Sequence, residues 1–235
     1  MGSFDEKKFL PLEVDLASEK CITGAIGKTV AHFGKIDVLV NNAGYGIGGA
    51  VEELSQQEIK GSFDINVFAV IMSMQAVMPY FRAQKSGNII NISSIAGFAP
   101  GTGWGIYAAT KYAVTGLSEV MAEDVKEFGI KVTVVAPGAF RTEFLTDNSL
   151  VFAADKIEGY QAIRESHGKY AAMNGSQAGD PEKLAQVFID LAENPDPPVR
   201  LYLGSDAYRR AKEKTKLLSE ELEMNREISF STDFR

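Results

Sequence analysis

The sequence predicts an α/β protein: one domain built on a doubly wound parallel sheet with helices on both faces. Three observations carry this. Short apolar runs such as IDVLV (Ile36 to Val40), NIINI (Asn88 to Ile92) and KVTVV (Lys131 to Val135) are bounded by Gly, Asn or Pro, as strands covered on both faces are. The segments between them repeat apolar residues at helical spacing, and strands alternating with helices give a parallel sheet. Finally, 235 residues with 45% apolar content suffice for one good-sized core, so a single domain spanning residues 1–235 is expected.

Taken in order, Phe9 to Val14 (FLPLEV) reads as a short strand. The next stretch, CITGAIGKT (Cys21 to Thr29), imitates a phosphate-binding loop. A Walker loop requires glycine five residues before Gly27, where Ile22 stands. A dinucleotide turn requires a strand before its first glycine, and LASEK is not one. Ile22, Ala25, Ile26, Val30 and Phe33 instead mark an amphipathic helix, capped by Ser18 and stopped at Gly34. IDVLV is the next strand, and a long helix covers about Ile59 to Ala83. NIINI, a helix from Tyr107 to Phe128, and KVTVV ended by Pro137-Gly138 follow. A loop-rich stretch runs to Gly179. Asp180-Pro181 then opens a helix to about Glu193, VRLYL (Val199 to Leu203) is the last strand, and Asp206 to Met224 a charged helix.

Composition narrows the function. A net charge of −7 argues against nucleic-acid and anionic-membrane partners. Cys21 is the sole cysteine, which excludes an internal disulfide and suits a reducing cytoplasm. No signal peptide is read at the N-terminus. VFAVIMSMQAVM (Val67 to Met78) is shorter than the ~20 residues of a membrane span and reads as a buried helix, suited to a subunit contact.

Two YxxxK pairs occur, Tyr107 with Lys111 and Tyr208 with Lys212, each on one helix face. Thirteen residues before Tyr107 stands Ser94, at the end of a strand; thirteen before Tyr208 stands Pro195. The first pair is therefore the candidate site and the second a surface pair. NNAG (Asn41 to Gly44) directly follows IDVLV, at the carboxyl end of a strand where open sheets bind ligands. His32 and His167 lack ligand-spaced companions and read as surface residues, so no metal site is predicted.

NNAG, Asn66, Ser94, YAATK and PGAFRT (Pro137 to Thr142), in this order, closely resemble the short-chain dehydrogenase/reductase family over about Phe9 to Leu203. The resemblance implies a Rossmann-like fold and an NAD- or NADP-dependent oxidoreductase acting on a small carbonyl or secondary alcohol. It implies Tyr107 as general acid or base, Lys111 lowering its pKa and holding the ribose, Ser94 binding the substrate oxygen, and Asn66 fixing a relay water. For the cofactor it implies Asp15, Asn41, Ala43, Gly44, Tyr107, Lys111, Pro137, Gly138, Phe140 and Thr142, although Asp15 reads equally well as a helix cap. It also implies a substrate lid over residues 143–180, before a C-terminal helix and tail at 205–235. The apolar Phe144, Leu145, Val151 and Phe152 in that lid hint at an apolar substrate, with Trp104 either at its mouth or simply packed.

The same resemblance raises an expected deficit: the family's first strand, TGxxxGxG turn, helix and second strand have no counterpart before FLPLEV. The first two strands of the usual order would then be absent, and IDVLV would be an exposed edge, covered by FLPLEV moving beside it or by another copy in a homo-oligomer. Two further functions stand beside the leading one. A non-catalytic protein of the same fold could have lost nucleotide binding. A sugar-nucleotide epimerase or dehydratase shares YxxxK, but the residues after Leu203 leave little room for its substrate domain.

Overall fold

The computed structural model describes residues 5, 7–146 and 149–234; the outermost residues of the expected 1–235 domain, and two residues inside the expected lid, lie outside these. Helix α1 (Glu19–Phe33) leads to β1 (Val38–Asn41) and a short β2 (Gly46–Gly48). Helix α2 (Gln56–Phe63), a π-helical turn (Asp64–Phe68) and α3 (Ala69–Gln84) follow, then β3 (Gly87–Ile92), α4 (Gly105–Asp124) and β4 (Ile130–Pro137). The chain continues through β5 (Leu150–Phe152), α5 (Gln161–Ala172), α6 (Pro181–Glu193), β6 (Arg200–Leu203), α7 (Ser205–Met224) and α8 (Arg226–Phe230). The main sheet is parallel in the order β1-β3-β4-β6, and β2 pairs with β5 in a separate parallel ribbon.

The apolar runs are buried on both sides, and consecutive residues serve opposite faces. Ile89 packs with Val77, Phe81, Val114 and Val132, while its neighbour Ile90 packs with Val135 and Leu191. Each such isoleucine contributes about 1.5–3 kcal/mol of burial. From α2 through α3 the helix is long and apolar enough to meet the length and composition of a membrane span. Here Val70, Met74, Val77 and Phe81 of α3 belong to the core under the sheet.

CITGAIGKT lies within α1, capped as expected: the Ser18 hydroxyl accepts from the Cys21 amide, and Gly34 closes the helix at φ 84°. Its Lys28 and Thr29 are helical residues, and Thr29 Oγ1 donates to the Ala25 carbonyl at 2.9 Å. FLPLEV, by contrast, is not a strand and does not pair with β1. Pro11 sits in its middle and has no N–H for a ladder. β1 is thus an edge of the sheet, with Val40 43% exposed.

The stretch up to Gly179 holds more order than its sequence suggests. β5 is three residues long and exists because β2 pairs with it. In α5 only Ile163 and His167, four apart, are buried, too sparse a stripe to announce a helix. His167 corrects the surface assignment: it is 8% exposed, with Nε2 3.0 Å from the Gly103 carbonyl and its ring against Trp104 and Phe152. Burial pushes its pKa down.

Candidate active site

A cavity of about 400 Å³ opens at the carboxyl ends of β1, β3 and β4. β3 delivers Ser93 and Ser94 to it. Ser93 Oγ donates to the Lys111 carbonyl at 2.9 Å and meets Thr115 Oγ1 at 2.8 Å, tying the strand end to α4. Gly97 permits this approach, since a Cβ there would stand 2.7 Å from the Lys111 carbonyl oxygen. The helical repeat of α4 then sets Tyr107 and Lys111 on one face.

Ser94 and Tyr107, separate in sequence, meet in the cavity wall, with the serine hydroxyl close enough to the phenol to act on its pKa. Ser94 Oγ also accepts from the Ala96 amide at 3.1 Å, which fixes its rotamer. Burial pushes the Tyr107 phenol up to about 12, with the Ser94 hydroxyl pulling the other way. This differs from the expectation that Lys111 would bring the phenol toward neutrality, because desolvation of the phenolate dominates. Lys111 itself is pushed down to about 8 by burial. Its Nζ lies 5.8 Å from the Tyr107 ring centroid and donates to the Ile92 carbonyl at 3.0 Å. An ammonium has three donors, so the remainder are available to a ligand.

Asn66 does not line the cavity. It sits on the π-helical turn, whose extra residue shifts the helix face, a device common at functional sites. Its amide accepts from the Tyr45 N–H at 3.0 Å and donates toward the Tyr45 carbonyl at 2.9 Å, with Thr110 Oγ1 at 3.2 Å. It therefore clamps the chain leaving β1 to the long helix. A Cβ on neighbouring Gly44 would stand 2.9 Å from the Asn66 oxygen and 3.4 Å from Lys111 Nζ, so bare backbone is required there.

Of the residues expected to hold a cofactor, Gly44, Tyr107, Lys111, Pro137, Gly138, Phe140 and Thr142 line the cavity. Asn41, Ala43 and Asp15 do not. Asn41 donates to Asn91 Oδ1 at 2.8 Å, pairing β1 with β3. Asp15 is exposed and accepts from the Ala17 amide at 2.9 Å. Asn42 lines the wall instead. Sequence reasoning also missed Gln177, Asp206 and Arg210, which reach the cavity from elements distant in sequence. Asp206 Oδ2 accepts from the Ala139 amide at 2.9 Å and braces the turn after Pro137. No spacing rule links them to the site. Trp104 both lines the cavity and packs, with its ring 5.0 Å from that of Tyr170 and 6.5 Å from that of Tyr107.

A nicotinamide cofactor fits this wall: a close-approach glycine at 44, an ammonium with free donors and the backbone of residues 137–142 converge on one space. Comparison with known proteins agrees. The model of the family described as short chain dehydrogenase matches residues 2–150. "Oxidoreductase BOA17" of Botryotinia fuckeliana is 33% identical over 233 residues, covering 99% of this chain and 84% of that protein. A 3-ketodihydrosphingosine reductase of Bacteroides thetaiotaomicron is 35% identical over 193 residues, 82% of this chain and 72% of the other. The crystal structure of a short-chain dehydrogenase from Streptomyces avermitilis superposes with a TM-score of 0.87 at 33% identity, over 94% of this chain and 80% of that one.

The chain belongs to the short-chain dehydrogenase/reductase family. It is an NAD(P)-dependent oxidoreductase whose substrates are small carbonyl or alcohol compounds, which sets aside the non-catalytic alternative. The expected N-terminal deficit is corrected by the same comparison. The family match begins at residue 2, so the N-terminal part of this chain is itself family sequence.

Proposed function

We propose that the protein reduces an apolar ketone, with Tyr107 as the proton donor, Ser94 as the hydrogen-bond donor to the substrate oxygen and Lys111 as the charge beside them. The observation that carries this is the convergence of Ser94, Tyr107 and Lys111 on one cavity wall, with the lysine one helical turn from the tyrosine. When bound, the nicotinamide cofactor supplies the hydride taken up by the carbonyl carbon. As the C=O π electrons move to oxygen, the developing charge is met by the Ser94 hydroxyl and receives the Tyr107 proton. A phenol pushed up to about 12 is protonated throughout the neutral range, the form that donates a proton in a reduction. The set Asn42, Gly44, Lys111, Pro137, Gly138 and Thr142 holds the cofactor, and Asn66 acts as a positioning residue through Tyr45.

Phe144, Leu145, Leu150, Met173 and Phe188 in the wall support an apolar substrate body, and a relative named as a ketodihydrosphingosine reductase supports a ketone. A homo-oligomer is supported by the exposed Val40 of the β1 edge and the exposed Phe68, Tyr112 and Val120; light scattering tests it. The acidic net charge supports small-molecule over nucleic-acid or membrane partners, and the lone cysteine supports a cytoplasmic location.

The decisive experiment is Tyr107→Phe. Reduction of a ketone panel should fall roughly 10²–10⁴-fold, the usual worth of a positioned proton donor. NADH or NADPH binding, followed by nicotinamide fluorescence, should persist. Retained turnover in the variant would rule this assignment out.

A further inference from the structure

We infer that the cavity contains a neutral hydrogen-bonding subsite, made by Gln177 and Trp104, that reads a second polar group on the substrate beyond the reacting carbonyl. This rests on the reading of the same cavity as the substrate site. Gln177 lines the cavity and is 2% exposed, yet neither Oε1 nor Nε2 has a hydrogen-bond partner among the described residues. Trp104 lines it too, is 5% exposed, and its Nε1 is likewise unpartnered. Buried polar groups are nearly always paired, so three orphan atoms on two residues of one cavity call for a physical reason.

Both side chains are held where they are by something other than their polar atoms. The Gln177 carbonyl accepts from Arg141 Nη2 at 3.1 Å. Gly179, two residues on, donates to the Ala139 carbonyl at 3.0 Å and accepts from the Arg141 amide at 2.9 Å. The segment is thereby strapped to the 139–141 turn. Trp104 is fixed by the rings of His167 and Tyr170, at 4.9 Å and 5.0 Å. The polar atoms are left over from this packing, buried and without a partner among the described residues.

Their chemistry defines what they accept. A carboxamide offers two donors and an acceptor, and an indole offers one donor. Both are neutral. The other polar groups nearby are engaged: Asp206 with the Ala139 amide and the Arg210 guanidinium with the Ala99 carbonyl. Gln177 and Trp104 bring no charge of their own to a ligand, so at these two side chains a neutral group is favoured over a carboxylate or ammonium, which would be costly to desolvate. The fitting class is a ketone with an apolar body and one further neutral group, a hydroxyl or a second carbonyl.

The test uses matched ketones of one carbon skeleton, with and without a hydroxyl placed at successive distances from the carbonyl. The ratio of their kcat/KM values is measured for the wild type, Gln177→Met and Trp104→Phe, together with NADH binding and Tm. For one hydroxyl position the wild type should favour the hydroxyketone about tenfold or more, and Gln177→Met should erase most of that ratio. Its Tm should not fall, because an unpartnered amide is being replaced by an apolar chain of similar size. Should that variant not fold, Trp104→Phe must show the same direction of change. A ratio unaltered by both variants overturns the inference. So does weakened NADH binding with the ratio intact, which would assign the amide to the cofactor. A marked fall in Tm would mean that buried water already pairs the amide, and overturns it as well. A wild type that binds cofactor but reduces neither ketone sinks the underlying site reading instead.

Discussion

Asn66 and Tyr45 grip one another in both directions. The Tyr45 N–H donates to Asn66 Oδ1 at 3.0 Å, and Asn66 Nδ2 donates to the Tyr45 carbonyl at 2.9 Å. The side chain is 1% exposed and the pair joins the segment after β1 to the π-helical turn, directly beside Gly44 and Lys111.

Asn66→Ala should therefore act on stability and cofactor affinity together. It leaves a partly buried amide and carbonyl without their partner, at a cost of about 1–3 kcal/mol. Urea unfolding would give the loss, and a fluorescence titration with NADH should show weaker binding than the wild type. A variant with unchanged stability would mean that water replaces the clamp without penalty.

Lys111 should write a signature into the pH dependence of stability. Its folded-state pKa is about 8 against an ordinary 10.5, so between those values the unfolded chain binds the extra proton. Stability then rises as pH climbs from about 8, by about 2–3 kcal/mol before pH 10. Above pH 10 the raised Tyr107 works in reverse: the folded state keeps the proton that the unfolded chain loses, and stability falls toward pH 12. In Lys111→Met the rise between pH 8 and 10 should disappear. Denaturant midpoints across that range check it.

His167 gives a second slope at the acid end. Burial lowers its pKa below the ordinary 6.5. As pH falls below 6.5 the unfolded state takes up the proton first, so stability is lost in that window. Protonation also sets an imidazolium among Trp104 and Phe152. His167→Gln should flatten the slope below pH 6.5, measured by Tm; an unchanged slope would assign it to other groups.

Glu53 anchors the segment that bears β5 and α5. Its side chain is fully buried, with one oxygen accepting from the Ala50 amide at 2.8 Å and the other from the Ile157 amide at 2.8 Å and from Arg164. Glu53→Gln presents an N–H to one of these donors and removes the charge, at a cost of about 3 kcal/mol. Arg164→Ala should cost less, since that side chain is 31% exposed. Hydrogen exchange across residues 150–164 should speed up in Glu53→Gln. KM should rise as well, because Leu150 belongs to the cavity wall.

The sequence by itself determined most of the elements and singled out Ser94, Tyr107 and Lys111, which line one cavity. Apolar runs must become covered strands, the three-four stripe in CITGAIGKT must become a helix, and the four-residue interval from Tyr107 to Lys111 must put both on one face, because these are local consequences of backbone geometry. The tertiary structure decided what depends on meeting partners. Pro11 kept FLPLEV out of the sheet, and β5 formed only where β2 offered a ladder. Asn41 was drawn into pairing with Asn91 while Asn42 faced the cavity. Burial pushed the Tyr107 phenol up although a lysine stood nearby, since the desolvation of a charge is set by everything packed around it and not by its neighbours in sequence. Gln177 entered the site for the same reason, delivered by a strap to the 139–141 turn that no periodicity encodes.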